Sequence, residues 1–125
     1  MAKRKVTNLT DVSEITCVVQ KGMADEIVQS LLDAGIQGAT VHSGVGTGIR
    51  ERMGLLGVAV EVEREIVQVL VSKDQVDRIF ERMYLAGRLD TPGMGYIYAA
   101  PLIQAATYIP AHLLEDKDWL TSLGV

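Results

Sequence analysis

The stretch Ile15-Thr16-Cys17-Val18-Val19-Gln20-Lys21-Gly22-Met23-Ala24-Asp25-Glu26-Ile27-Val28-Gln29-Ser30-Leu31-Leu32-Asp33-Ala34-Gly35 decides the fold, because its pattern occurs twice. Ile15 to Gln20 is rich in β-branched residues and reads as a strand, which Gly22 breaks. Met23, Ile27, Leu31 and Ala34 then recur at helical spacing. Asp25 and Glu26 stand in the first turn, where negative charge suits the helix dipole. Gly35 predicts a left-handed stop. Adding 52 to these positions pairs Val19 with Val71, Asp25 with Asp77, Ile27 with Ile79, Ala34 with Ala86 and Gly35 with Gly87. Ile66 to Val71 is the strongest strand of the chain. Ser72-Lys73-Asp74-Gln75 has the form of a capping box. Val76, Ile79, Phe80 and Met83 form the buried stripe of the second helix, with Gly87 as its cap.

Each helix leads into a further strand, Ala39 to Ser43 in the first half and Tyr96 to Ala100 in the second. Two such units give the order βαββαβ. Right-handed crossovers place both helices on one face of a four-stranded antiparallel sheet, an α+β, ferredoxin-like arrangement. The other sheet face is left without helices, which predicts self-association. Around this domain, assigned to residues 14–109, residues 1–13 read as a flexible polar arm. Pro101 is expected to start a helical turn through Thr107. Residues 110–125 read as a tail with one short helix, expected to dock through Leu113, Leu114, Trp119, Leu120 and Leu123 on this chain or on a neighbour, the alternative being a partner-binding tail.

Between the halves lies Ser43-Gly44-Val45-Gly46-Thr47-Gly48-Ile49-Arg50-Glu51-Arg52-Met53-Gly54-Leu55-Leu56-Gly57, with five of the twelve glycines. Glycines at 44, 46 and 48 bring no side chain to a strand and read as a mobile ligand loop. Backbone amides there, beside Arg50 and Arg52, suit an anion. The spacing is not that of a dinucleotide fingerprint, and no helix signal follows. Leu55 to Val60 fits either insertion into a partner or a strand buried between subunits. Val58 to Glu65 alternates apolar and acidic residues, so Glu61, Glu63 and Glu65 read as one solvated strand face.

The totals exclude several classes. The chain has 125 residues, 48% of them hydrophobic and 22% charged, which suits one domain with a real core. A net charge of −4 argues against nucleic acid as the main partner. No apolar run reaches the length of a membrane span, and Lys3-Arg4-Lys5 leads into no signal sequence. Cys17 is the single cysteine and falls on an apolar strand position, so an inert thiol and a cytoplasmic setting are expected. His42 and His112 have no companion ligand at useful spacing, and no nucleophile–base arrangement or paired acids stand out. Neither a metal site nor an enzyme is expected.

Read together, these segments resemble the P-II-type signalling proteins, over about Ile15 to Pro110. Leu32 to Val41 is similar to the family's E-x-G-I-x-G-x-T-V segment. Gly46-Thr47-Gly48 resembles the G-F-G that opens its regulatory T-loop, here about residues 44–62. Val69 to Asp77 resembles V-V-x-D-x-V-D, and Gly93-Met94-Gly95-Tyr96-Ile97-Tyr98 resembles G-D-G-K-I-F. The resemblance implies a homotrimer with sheets facing inward and adenine nucleotides in three inter-subunit clefts. It also implies a T-loop that docks on a partner protein such as a membrane transporter. Carried over, it places Gln37 and Gly38 near the base and Gly46 and Gly48 at the loop base. Gly93, Met94 and Gly95 line the phosphate side, with Arg50 and Arg88 as substitute cations. Arg52, Met53, Leu55 and Leu56 form the partner-binding part of the loop.

The chain departs from the family pattern in informative places. The loop is several residues shorter than in nitrogen-regulatory members and holds no tyrosine for uridylylation. Tyr96 replaces the phosphate-binding lysine, and Leu102 to Tyr108 lacks R-x-R, with Gln104 and Thr107 nearby. Losing those cations weakens the grip on a triphosphate, because charge-assisted contacts are the strong ones. The expectation is therefore a member that prefers ADP, AMP or another small anion to ATP, or has lost nucleotide binding, with no obligatory cofactor. The alternatives are an amino-acid-sensing ferredoxin-like module and a trimeric metal-tolerance-type protein.

Overall fold

A computed structural model of the chain describes residue 4 and residues 6–46 and 62–108. In chain order it contains β1 (Asn8–Leu9), β2 (Val12–Gln20), α1 (Ala24–Asp33), β3 (Thr40–Gly46) and β4 (Val62–Ser72). A 3₁₀ turn (Lys73–Gln75), α2 (Val76–Ala86), β5 (Gly95–Pro101) and β6 (Ala105–Ala106) follow. The main sheet runs β3-β4-β2-β5, with every neighbouring pair antiparallel. This is the ferredoxin-like order expected from the duplication.

The core lies between the sheet and the helices. Ile15, Cys17 and Val19 of β2 and Val67, Val69 and Val71 of β4 alternate onto the helix side. Ile27 and Leu31 of α1 and Ile79 and Met83 of α2 meet them, all at 0–1% exposure. The pairs Ile27/Ile79 and Leu31/Met83 are each separated by 52, so the repeat survives as equivalent core positions.

Several expectations give way to the structure. Order begins earlier than the polar arm suggested. Val12 and Ser13 already belong to β2, and Asn8–Leu9 pairs with Ala105–Ala106 as a small ribbon. Leu9 and Val12 pack there with Leu70, Leu102 and Ala105, so one end of the helix-free sheet face is covered. Pro101 closes a strand instead of opening a helical turn. Its position lets Leu102 N–H donate to Val12 O at 2.9 Å, which steers the chain into β6. The acidic segment and the apolar one after it are a single strand, β4, within the described residues.

The caps differ too. The Ser72–Gln75 capping box does not form, because the 3₁₀ turn intervenes. Ser72 Oγ is buried without a partner, and Gln75 Oε1 accepts from Arg78 Nε at 2.8 Å. Gly35 is left-handed at φ +91°, as expected, but its repeat partner Gly87 has φ −80°. Gly87 is needed for space: a Cβ there would lie 3.2 Å from Met83 O and 3.4 Å from Ile27 Cδ1 and Val19 Cγ1. The left-handed residue after α2 is Arg88, at φ +55°.

Candidate functional site

The strands of the sheet have two ends. At one, β2 finishes, β5 begins, β3 and β4 meet the 47–61 connection, α1 starts and α2 stops. Five of the residues singled out from sequence gather at this end: Gly46, Arg88, Gly93, Met94 and Gly95. Gly46 pairs with Val62 as the last residue of β3. Gly44 and Gly46 are thus strand residues, not loop. Pairing with the long β4 holds them in place, and Gly44 has its missing Cβ opposite Ile66 Cδ1, at 3.3 Å. Gly48, Arg50, Arg52, Met53, Leu55 and Leu56 lie outside the described residues.

The segment from Arg88 to Gly95 is built of consecutive tight turns. Arg88 N–H donates to Leu85 O at 3.1 Å, Thr91 N–H to Arg88 O at 3.0 Å and Met94 N–H to Thr91 O at 3.3 Å. Gly93 (φ +82°) and Gly95 (φ +136°) take conformations that L side chains resist. At Gly95 the constraint is also steric, since an added Cβ would sit 2.0 Å from Val18 O. The backbone of this loop is exposed, with Met94 half-buried between the two glycines. Exposed amides beside glycines are what an anionic group needs for close approach. Arg88 stands 3.7 Å from Glu26 in an exposed ion pair, so part of its charge already faces a carboxylate.

Gln37 and Gly38 are elsewhere. They precede β3, whose first residue pairs with Gln68 toward the opposite end of the sheet, and β3 is the outer strand on the side away from β5. Within one chain, β4 and β2 stand between Gln37–Gly38 and Gly93–Gly95. The structure therefore does not bring these two sets together.

The residues that sequence reasoning missed are those that hold this end in shape. Met23, at the N-cap of α1, has no side chain able to cap. The acceptor comes from another strand: Glu65 Oε1 takes hydrogen bonds from the N–H groups of Gly22 and of Ala24, the latter at 3.2 Å. Glu65 is thus a helix cap, and the solvated-face reading of Glu61, Glu63 and Glu65 fails at this position. Glu63 does face solvent, paired with Lys21 at 2.8 Å. That hydrogen bond holds the Lys21 ammonium above its ordinary pKa and the Glu63 carboxyl below its own. Gln20 Nε2 donates to Gly93 O at 3.0 Å. The signal available in sequence was negative: a helix start with acidic residues but no Ser, Thr, Asp or Asn at its cap.

On the helix-free face, Tyr96 and Tyr98 of β5 stack with centroids 6.4 Å apart and remain 59% and 47% exposed. Among the described residues no group of three or more His, Cys, Asp or Glu is placed to hold a metal ion, and no helix is long and apolar enough to cross a membrane. Cys17 is fully buried, and burial pushes its thiol up to about 11.

Comparison with known proteins places this architecture. A solved structure described as Arabidopsis thaliana PII bound to citrate superimposes with a TM-score of 0.58 at 22% identity, covering 74% of this chain and 78% of that one. At that identity the likeness speaks for the fold. A search among curated proteins found no match. The family model for nitrogen regulatory protein P-II matches residues 12–110, which is most of the chain. This chain belongs to the P-II family.

Proposed function

We propose that the protein is a P-II-type regulator that takes an adenine nucleotide in clefts between copies of itself and acts on a partner protein through the connection between β3 and β4. The observation that carries this reading is the separation of Gln37–Gly38 from Gly93–Gly95, which lead into opposite outer strands. A site using both sets needs a second copy, and a threefold ring supplies three such seams. The helix-free sheet face, with its exposed tyrosine pair, is the surface such a ring would cover.

The phosphate side favours few phosphates. Tyr96 stands at the start of β5 where the family's lysine would be, and Arg88 shares its charge with Glu26. Backbone amides around Gly93 and Gly95 remain as the principal donors. ADP or AMP is therefore the better match, and ATP the weaker one. A transporter is the kind of partner the family pattern suggests, and regulation rather than catalysis is the role.

Titration calorimetry with ADP, AMP, ATP, cyclic AMP, citrate and amino acids tests the effector, alongside light scattering for the assembly. The expected result is one ADP or AMP per chain, tighter than ATP, on a trimer. Heat only with amino acids, or a folded monomer, would overturn the reading.

A further inference from the structure

Five side-chain ties from three separate parts of the chain converge on residues 20–26. From β4, Glu65 receives the amides of Gly22 and Ala24, and Glu63 pairs with Lys21. From the loop before β5, Gly93 O receives the Gln20 amide. From the end of α2, Arg88 reaches Glu26. Within the segment Met23 and Ala24 pack on the core, while Gln20, Lys21, Gly22, Asp25 and Glu26 are exposed, and nothing lies within 4 Å of the place a Cβ would take on Gly22. Gly22 has φ +96°, a conformation that only a residue without Cβ adopts at little cost. A turn tied to β4 by Glu65 and Glu63 and to the loop before β5 by Gln20, with a glycine inside it, moves when either of them moves.

We propose that the β2–α1 turn is a mechanical coupler, in which the Gln20–Gly93 bond and the Glu65 cap on α1 join the Gly93–Gly95 loop to the first residues of β4, where the 47–61 connection ends. β4 and β5, the strand that follows Gly93, are not neighbours, since β2 separates them. The side chains give a second connection beyond the backbone ladder. An anion drawn to the backbone N–H groups at 93–95 reorients the peptide units whose Gly93 carbonyl accepts from Gln20, and the change reaches Glu63 and Glu65 through residues 20–24. By reciprocity, whatever holds β4 at Glu63 and Glu65 biases the Gly93–Gly95 loop. The use of this coupler in signalling rests on the nucleotide reading above; its existence does not.

Hydrogen exchange in the free protein tests it. Gln20→Ala removes an exposed side chain whose described contact is Gly93 O, and leaves the backbone pairing of Gln20 with Arg64 available. Exchange is expected to rise roughly fivefold at 93–95 and also across 22–24 and 62–66, the size of an ordinary coupling between sites. Glu65→Ala should raise exchange at 22–24 and, reciprocally, at 93–95. Faster exchange confined to the residues beside each substitution would overturn the coupler. Adding ADP separates the two proposals. If ADP binds, slowing at 62–66 should be present in the unsubstituted protein and lost in Gln20→Ala, while slowing at 93–95 remains. If no nucleotide binds but the free-protein pattern holds, the coupler stands and the nucleotide reading falls.

Discussion

Gly95 is exposed, yet substituting it should be among the most damaging changes in the molecule. Gly95→Ala forces a Cβ to within 2.0 Å of Val18 O, 3.0 Å of Val18 C and 3.1 Å of Val19 Cα. None of these is a side-chain end that can swing away. Relief requires β5 to separate from β2 by about 1 Å at the Val19–Gly95 and Val18–Tyr96 positions, where the ladder begins. Losing two ladder hydrogen bonds costs about 2 kcal/mol, and holding a non-glycine at φ +136° adds about 1–3 kcal/mol. The expected loss is about 3–5 kcal/mol, a large share of the stability of an ordinary domain. Gly93→Ala is the internal control. Its φ is +82°, but nothing lies within 4 Å of the new Cβ, so strain alone applies, at about 1 kcal/mol. Urea unfolding followed by circular dichroism reads the difference. With an m-value of roughly 2 kcal/mol/M, the midpoint falls by about 2 M for Gly95→Ala and about 0.5 M for Gly93→Ala. Both are measured at one protein concentration, because any self-association would make stability concentration-dependent. Absence of a cooperative transition in Gly95→Ala would agree with the reasoning. A midpoint within 0.5 M of that of Gly93→Ala would refute it.

Three further outcomes are expected. Arg88→Gly relieves a left-handed non-glycine at φ +55° and should raise stability by about 0.5–1 kcal/mol, while weakening any phosphate binding seen by calorimetry. A gain in stability with unchanged affinity would remove Arg88 from the site. Ile27→Ala and Ile79→Ala empty equivalent, fully buried positions, so each should cost about 2–5 kcal/mol, with similar midpoints in denaturant. The Cys17 thiol has its pKa raised from 9.0 to about 11, so the folded state holds the proton longer than the unfolded state does. Stability should therefore be intact below pH 9, fall as pH rises from 9 to 11 and level off beyond, by about 2–3 kcal/mol in total. Thiol labelling at pH 8 should proceed only as fast as the chain opens.

How far the sequence could be read depended on the range of the interactions. The duplicated strand–helix unit was legible because its core positions repeat every two or about four residues along one element, as Ile15, Cys17, Val19, Ile27 and Leu31 show. The fold followed from that unit by handedness alone. Gly44 and Gly46 were misread because their strand is set by its partner: Val62 to Gln68 of β4 pair with every residue of β3, whatever the intrinsic preference of β3. The Ser72 capping box was a sound local pattern overridden by a 3₁₀ turn whose first amide, on Lys73, bonds Asp11 O at 2.8 Å. Of the candidate site, the Gly93–Gly95 turn was legible through its paired glycines. Gln20 and Glu65 were not, because their partners lie 73 residues away in one case and 41 to 43 in the other.

The drift of the repeat explains why the turns around Gly93 occur in the second half alone among the described residues. Shifted by 52, β3 (Thr40–Gly46) would fall on 92–98, whereas β5 occupies Gly95–Pro101, three residues later. One of the three lies in α2, which ends at Ala86 where α1, shifted, would end at 85; the other two lengthen the helix-to-strand connection from six residues to eight. That longer connection is what contains the turns around Gly93. In each half the second strand takes an outer place in the sheet, so the duplicated topology sends the two connections to opposite edges. A ligand held by both must bridge two copies of the chain. On the proposed reading, self-association and ligand binding are consequences of the same duplication, and a variant that assembles poorly should lose affinity even with every residue around Gly93 intact.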